Sequence, residues 1–262
     1  MRKVVAIIQA RMGSTRLPGK VMMKIVGRPM LWHVINRLKH AKRLDDTVIA
    51  TTTLNEDKTI LKLASEMGVK GYAGSEDDVL DRYYQAAIRY KADVIVRITA
   101  DCPLIDPTVI DRAIEFYLNH DFDYVGTGIK PTYPDGLDTE VLSFNALERA
   151  WKEASLASEV EHVTPYIKKN PQLFDIKNVE NDKDLSYMRW TVDEERDLKF
   201  VREIYKRLYI EGKIFYMDDI LNLLKKFPEI MDINKSIMRD EGYLKSLRED
   251  KIINVKRLGN GQ

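Results

Sequence analysis

The residues best suited to chemistry in this sequence follow its first apolar run: Ala10-Arg11-Met12-Gly13-Ser14-Thr15-Arg16-Leu17-Pro18-Gly19-Lys20. Gly13 and the small Ser14 and Thr15 leave room for backbone N–H groups to approach an anion. Arg11, Arg16 and Lys20 can then neutralise phosphate oxygens, arginine bidentately. Two known phosphate loops do not fit. A G-x-x-x-x-G-K-[ST] loop would need glycine at Ser14 and a hydroxyl residue at Val21, and no G-x-G-x-x-G is present. A solvated basic loop is the competing account.

Asp101 ends a second apolar run, in Arg97–Leu104 (RITADCPL). A lone carboxylate there could hold a hydrated Mg²⁺ across substrate phosphates, or make an Asx turn before Pro103. Asp193, in Arg189–Glu195 (RWTVDEE), repeats the pattern and could serve as ligand, as helix N-cap, or as both. Asp138 and Glu140, two apart on a predicted strand, share a face. With Tyr133 and Asp135 they could hydrogen-bond sugar hydroxyls, although a solvated strand face accounts for them nearly as well. Glu161-His162 falls on a predicted helix near Tyr166, and a lone histidine is more often structural than catalytic. His33, His40 and His120 read as ordinary helix residues.

The elements that must carry these residues alternate. Lys3–Gln9, Thr47–Thr53, Val69–Ala73 and Asp93–Thr99 read as strands, the first and last apolar on both faces as central parallel strands are. Helices are predicted from Pro29, over Glu56–Met67 ending at Gly68, over Asp77–Tyr90, and from Pro107 with Asp106 as cap. That rhythm implies a mainly parallel sheet covered by helices, and its C-terminal edge is where ligands of open α/β sheets gather. Beyond residue 120 the rhythm breaks. Asp123–Gly126 is a strand end, Ile129–Gly136 a loop and Leu137–Leu142 a strand. Asn145–Ala154 and Ser158–Lys169 are helices, the second kinked or interrupted at Pro165. Leu173–Val179 and Met188–Val192 add strands, expected antiparallel, before a helix over 194–211 and a helical C-terminal third. The closing VKRLGNGQ reads as a frayed tail. The expected organisation is one mixed α/β domain, 1–211, with a helical extension, 212–262, packed on it.

Composition narrows the partners. Lys plus Arg number 42 and Asp plus Glu 41, a net charge of +1, so nothing electrostatic points to nucleic acid or a membrane surface. One cysteine, Cys102, excludes an intrachain disulfide framework and suits a reducing compartment. The opening apolar run is too short for a secretory signal, and no stretch approaches the roughly 20 apolar residues of a membrane span. A cytoplasmic protein is the expectation.

Together the quoted residues resemble the cytidylyltransferases that make CMP-activated sugars, a group including the CMP-Kdo and CMP-acylneuraminate synthetases. The spore coat polysaccharide biosynthesis branch is the most similar. Besides the ARMGSTRLPGK segment, Gly74–Tyr83, Arg97–Pro107, Tyr133–Ser143, Glu161–Ile167 and Arg189–Leu198 resemble segments of that branch in the expected order. The resemblance spans roughly residues 3–210 and leaves out the last fifty. It implies a nucleotide-diphospho-sugar transferase fold (GT-A-like, Rossmann-like) and Mg²⁺-dependent transfer of CMP from CTP to a sugar with release of pyrophosphate, in glycan precursor synthesis.

By that similarity Arg11, Ser14, Arg16 and Lys20 hold the triphosphate, Ala10, Met12 and Gly13 also bind the nucleotide, and Arg11, Lys20 and Asp101 carry the chemistry. Asp101 and Asp193 bind the metal, and Ser75 and Arg82 face the base. Tyr133, Asp135, Asp138, Glu140, Glu161 and His162 lie on the sugar side, and a homodimer is the family's expectation. A Kdo or sialic acid substrate does not carry over, because the segments around the acceptor differ. Two other classes stay open. A glycosyltransferase of related fold would carry Asp-x-Asp where this chain has Thr99-Ala100-Asp101, with one acid. A non-catalytic nucleotide-binding pathway protein would not need Lys20, Asp101 and Asp193 together.

Overall fold

The computed structural model describes residues 2–253, so the segment read as a frayed tail lies outside the described residues. The strands are β1 (Val4–Gln9), β2 (Lys24–Ile25), β3 (Arg28–Pro29), β4 (Asp46–Thr52), β5 (Lys70–Gly74), β6 (Val94–Thr99), β7 (Tyr124–Gly126), β8 (Glu140–Ser143) and β9 (Ile176–Asn178). The α-helices are α1 (Met30–Leu38), α2 (Lys58–Glu66), α3 (Val79–Tyr90), α4 (Pro107–Leu118), α5 (Phe144–Glu153), α6 (Ala157–His162), α7 (Pro165–Lys169), α8 (Glu195–Leu208), α9 (Met217–Lys226) and α10 (Glu241–Arg248). None is long and apolar enough to cross a membrane among the described residues.

The side chains of β1 alternate between two buried faces. Val4, Ala6 and Ile8 pack with α1, α2 and α4 on one face, while Val5 and Ile7 pack with α3 and α5 on the other. A strand apolar on both faces must lie inside a sheet covered on both sides. The main sheet accordingly runs β5-β4-β1-β6-β8-β7-β9 among the described residues. Strands β5, β4, β1 and β6 are parallel, whereas β8 is antiparallel to β6 and β7. The chain winds outward from β1 to β4 and β5, then crosses to the other side of β1 to form β6. The switch point therefore falls between β1 and β6, where Gln9 pairs opposite Thr99. In open α/β sheets ligands bind in the crevice at such a point.

The interruption expected at Pro165 is present: Val163 takes a φ of 71° and Pro165 opens a second helix. The later half departs from expectation in three places. Leu137–Thr139 approach β8 but stay outside the strand, which starts at Glu140. Strand β9 is parallel to β7, not antiparallel. Met188–Val192 joins no sheet. Its ladder is a single bridge, Asp135 with Arg189, and Val192 N donates instead to Asp101 O at 2.8 Å. A third core, with Tyr133, Leu137, Trp190, Tyr205, Ile220 and Ile230, joins this segment to α8, α9 and the turn after them. Asp106 caps α4 through Thr108 N (2.8 Å) and also accepts from Met217 N (2.6 Å), which ties α9 to the sheet domain.

Candidate active site

At the switch point the basic loop is shaped by its own backbone. Met12 O accepts from Ser14 N (2.8 Å) and Gly19 N (2.9 Å), and Met12 N donates to Asp57 Oδ1 (2.7 Å). Gly19 adopts φ +70°, the left-handed region that glycine occupies without Cβ strain, and so delivers Lys20 inward. A Cβ at Gly13 would meet no protein atom closer than Glu56 Oε1 at 4.0 Å.

Lys20 is 8% exposed, and its Nζ lies 2.8 Å from Asp101 Oδ2, 3.0 Å from Asp193 Oδ1 and 2.8 Å from Val192 O. Burial opposes both charges. The two carboxylates nonetheless hold the Lys20 ammonium above its ordinary pKa, while the ammonium and Thr99 bring Asp101 down to about 2. Both groups are thus ionised at neutral pH. Arg16 reaches the same Asp193 Oδ1 at 2.7 Å.

Asp193's other oxygen is held from behind by Arg189 Nη2 at 2.8 Å. Arg189 also grips Asp197 through two nitrogens (3.0 and 3.1 Å) and Asp135 at 2.8 Å, and its many acids raise its pKa against burial. Asp197, not Asp193, caps the start of α8, accepting from Asp193 N and Glu194 N. That corrects the reading of Asp193 as a cap and leaves its carboxylate free to face the cleft. Gly136 allows the 133–138 loop to press on this segment: a Cβ there would stand 2.6 Å from Thr191 N.

These groups line a cleft of about 780 Å³, within the range of small-molecule sites. Of the residues singled out from the sequence it brings together Ala10, Arg11, Ser14, Arg16, Lys20, Arg82, Asp101, Glu161, His162 and Asp193. Arg82 is buried there with Nε and Nη1 unpaired among the described residues, and burial lowers its pKa. His162 Nε2 lies 2.9 Å from Ser246 Oγ, which donates to Glu161 Oε2 at 3.1 Å. Burial brings that imidazole down to about 4, so it is neutral at pH 7.

The others are kept off the cleft wall. Ser75 Oγ accepts from Asp78 N at the start of α3. Tyr133 is in the third core, and Asp138 pairs with Arg239 at 2.6 Å. Glu140 is enclosed by Arg97, Tyr124, Thr164 and Lys168, which together push its pKa down despite burial. Two contributors went unread in the sequence: Arg189, which holds Asp193, and α10, which supplies one wall with Glu241, Lys245, Ser246 and Arg248. Arg189 stood inside a noted segment, but its role depends on Asp135, 54 residues away, as well as on the nearby Asp193 and Asp197. Helix α10 falls within the helical extension expected from the sequence, but because it buries no residue its charged side chains could not be told from solvated ones.

Among the described residues no three or more His, Cys, Asp or Glu side chains gather as a metal cluster. Two carboxylate oxygens do converge on one cationic atom, Lys20 Nζ. Hard oxygen donors in that number suit Mg²⁺, which takes one or two carboxylates and completes its shell with water and phosphate.

The comparisons agree with this architecture. A protein of Methanocaldococcus jannaschii of uncharacterised function is 42% identical over 243 residues, 92% of this chain and 98% of its own length. The spore coat polysaccharide biosynthesis protein SpsF of Bacillus subtilis is 30% identical, over 87% of this chain and 97% of its own. The structure of a cytidylyltransferase from Leptospira borgpetersenii superposes with a TM-score of 0.86 at 32% identity, covering 91% of this chain and all of that one. Residues 5–239, which hold the basic loop, Asp101 and Asp193, match the family described as cytidylyltransferase. On that match, and on a nucleotidyltransferase fold with its crevice at the β1–β6 switch point, the chain belongs to the cytidylyltransferase family.

Proposed function

We propose that this protein transfers CMP from CTP to a hydroxyl of a sugar or sugar derivative, releasing pyrophosphate, to make a precursor for surface glycan. The observation that carries the reading is the convergence of Lys20, Arg16, Asp101 and Asp193 at the switch point of a chain of this family. In phosphoryl transfer the protein's part is largely positioning and charge stabilisation. A triphosphate entering the cleft draws Arg16 and Lys20 off their carboxylates, and they then stabilise the negative charge that builds on the leaving pyrophosphate. Asp101 and Asp193, freed of their cations, would hold Mg²⁺, which supplies charge neutralisation at the phosphates. Arg189 keeps Asp193 aimed throughout. Arg11 and the buried Arg82 complete the nucleotide side, and Glu161 and His162 face the acceptor, with neutral His162 able to accept a proton from the attacking hydroxyl. The single acid at Thr99-Ala100-Asp101 and the cationic first loop favour this reading over a glycosyltransferase, which has no leaving pyrophosphate to bind.

The test is a pyrophosphate-release screen of the four ribonucleoside triphosphates against sugars, sugar phosphates and sugar acids. Release is expected from CTP alone and only with an acceptor present. Equal release from ATP, GTP or UTP removes the cytidylyl assignment, and no release from any pairing removes the transfer.

A further inference from the structure

We infer that α10 carries an anion site for the acceptor, in which Lys245 and Arg248 hold a phosphate or carboxylate of the sugar while the N-terminal loop holds the nucleotide. This rests on the nucleotidyl-transfer reading above. Helix α10 lies at Glu241–Arg248, beyond the residues 5–239 that match the family, so membership assigns it no role.

It is nonetheless built into the cleft. Lys245, Ser246 and Arg248 line the same space as Lys20 and Asp101. The segment is fastened to α6 and the residues before it: Ser246 Oγ meets His162 Nε2, Ser158 Oγ donates to Asp250 Oδ2 at 2.7 Å, and Ile252 bridges to Leu156. Because α10 buries no residue of its own, it contributes little to the core, and its cleft-facing side chains are polar or charged except Leu244 and Gly242.

Charge points to the ligand. Glu241 stands four residues before Lys245, the spacing and order that ordinarily give a helical ion pair. It turns instead to Arg16, at 3.3 Å. Neither Lys245 nor Arg248 pairs with a carboxylate among the described residues. Three residues apart on a helix, they are neighbours at roughly 5–6 Å between Cβ atoms, close enough to grip one anion. The nucleotide has its own cations among the cleft's other residues, Arg11, Arg16, Lys20 and Arg82. The α10 pair is therefore available to a second anion beside it, and Ser246, Glu161 and His162 offer hydrogen bonds to its hydroxyls.

The test uses the full chain saturated with CTP at low salt, titrated with inorganic phosphate by calorimetry. CTP fills the loop, so further uptake reports the second site. Wild type is expected to take up phosphate. The Lys245→Ala/Arg248→Ala variant should bind it at least tenfold more weakly, with CTP affinity unchanged within twofold. The variant is expected to fold normally, since neither side chain is buried, and coincident thermal melts check this. No uptake by CTP-loaded wild type, or equal uptake by the variant, overturns the site. Failure of CTP to bind wild type instead removes the nucleotide reading and this inference with it. Glucose 1-phosphate and glucuronate run in parallel separate a phosphate-bearing from a carboxylate-bearing acceptor.

Discussion

The basic loop after β1 and the Arg189–Asp197 segment facing it are held by opposite means. The loop is framed by main-chain hydrogen bonds at Met12 and Gly19, and Arg11 and Arg16 extend from that frame with their guanidinium groups partly in water. In the facing segment the charges themselves are the frame. Arg189 is buried among Asp135, Asp193 and Asp197, and Asn234 bonds both Asp197 and the Arg189 carbonyl. Removing Arg11 or Arg16 from the first wall leaves water to compensate, whereas removing the buried Arg189 from the second strands its partners in a poor solvent for ions. One wall can therefore release its cations to an incoming polyanion while the other keeps its carboxylates fixed.

The sharpest way to break that contrast is to compare Arg189→Met with Arg16→Met. The first strands Asp197, which is 0% exposed, and should cost about 3–5 kcal/mol. For a chain of this size that lowers Tm by roughly 6–20 °C. The second removes a half-exposed ion pair and should cost about 0–1 kcal/mol. Similar losses in calorimetric melts would mean that the walls do not differ.

Next in size is Asp101→Ala. Turnover should fall by about 10²–10³-fold or more, as loss of a strong electrostatic stabiliser does, with the circular dichroism spectrum unchanged because Lys20 keeps Asp193 and Val192 O. Near-normal pyrophosphate release by the folded variant would take Asp101 out of the mechanism.

The same contrast governs what the sequence disclosed. The β1–β6 crevice was legible because parallel strands buried on both faces leave continuous apolar runs, and the residues after such runs lie at the binding edge. Arg11, Lys20 and Asp101 could be read that way. Glu140 and Asp138 could not be told from ligands, because their partners Arg97 and Arg239 are 43 and 101 residues away. Met188–Val192 looks like a strand because Trp190 and Val192 are buried, but they are buried by α8 and α9 rather than by a sheet. Apolar alternation reports burial, and only the fold says against what. Helix α10 was expected only as part of a helical extension, and since it buries no residue its Lys245 and Arg248 read as solvated charges.

Lys20→Ala sharpens the division on the loop side. Loss of one charge-assisted contact to the pyrophosphate end should weaken CTP by about ten- to a hundredfold and hardly change CMP, as isothermal titration can measure. Equal losses for both nucleotides would move Lys20 to the α-phosphate or the ribose.

The last comparison concerns how the buried acids share Arg189. Burial and the neighbouring Asp138 push the Asp135 carboxyl up to about 7, although Arg189 lies 2.8 Å away and pulls the other way. An acid whose pKa is raised on folding binds more protons folded than unfolded between the two values, so its contribution to stability falls as pH rises. The window runs from roughly pH 4, the unfolded aspartate, to about 7. His33 and His162, whose folded values are lowered to about 4, act in the opposite sense below pH 6.5, so the wild-type curve alone does not isolate Asp135. The difference between Asp135→Asn and wild type does, because the asparagine cannot titrate and the histidines cancel. That variant should gain Tm relative to wild type as pH rises from 4 to 8. A gap that stays flat would mean Asp135 is ionised throughout, with Arg189 serving three carboxylates at once and the second wall more fully compensated than its burial suggests.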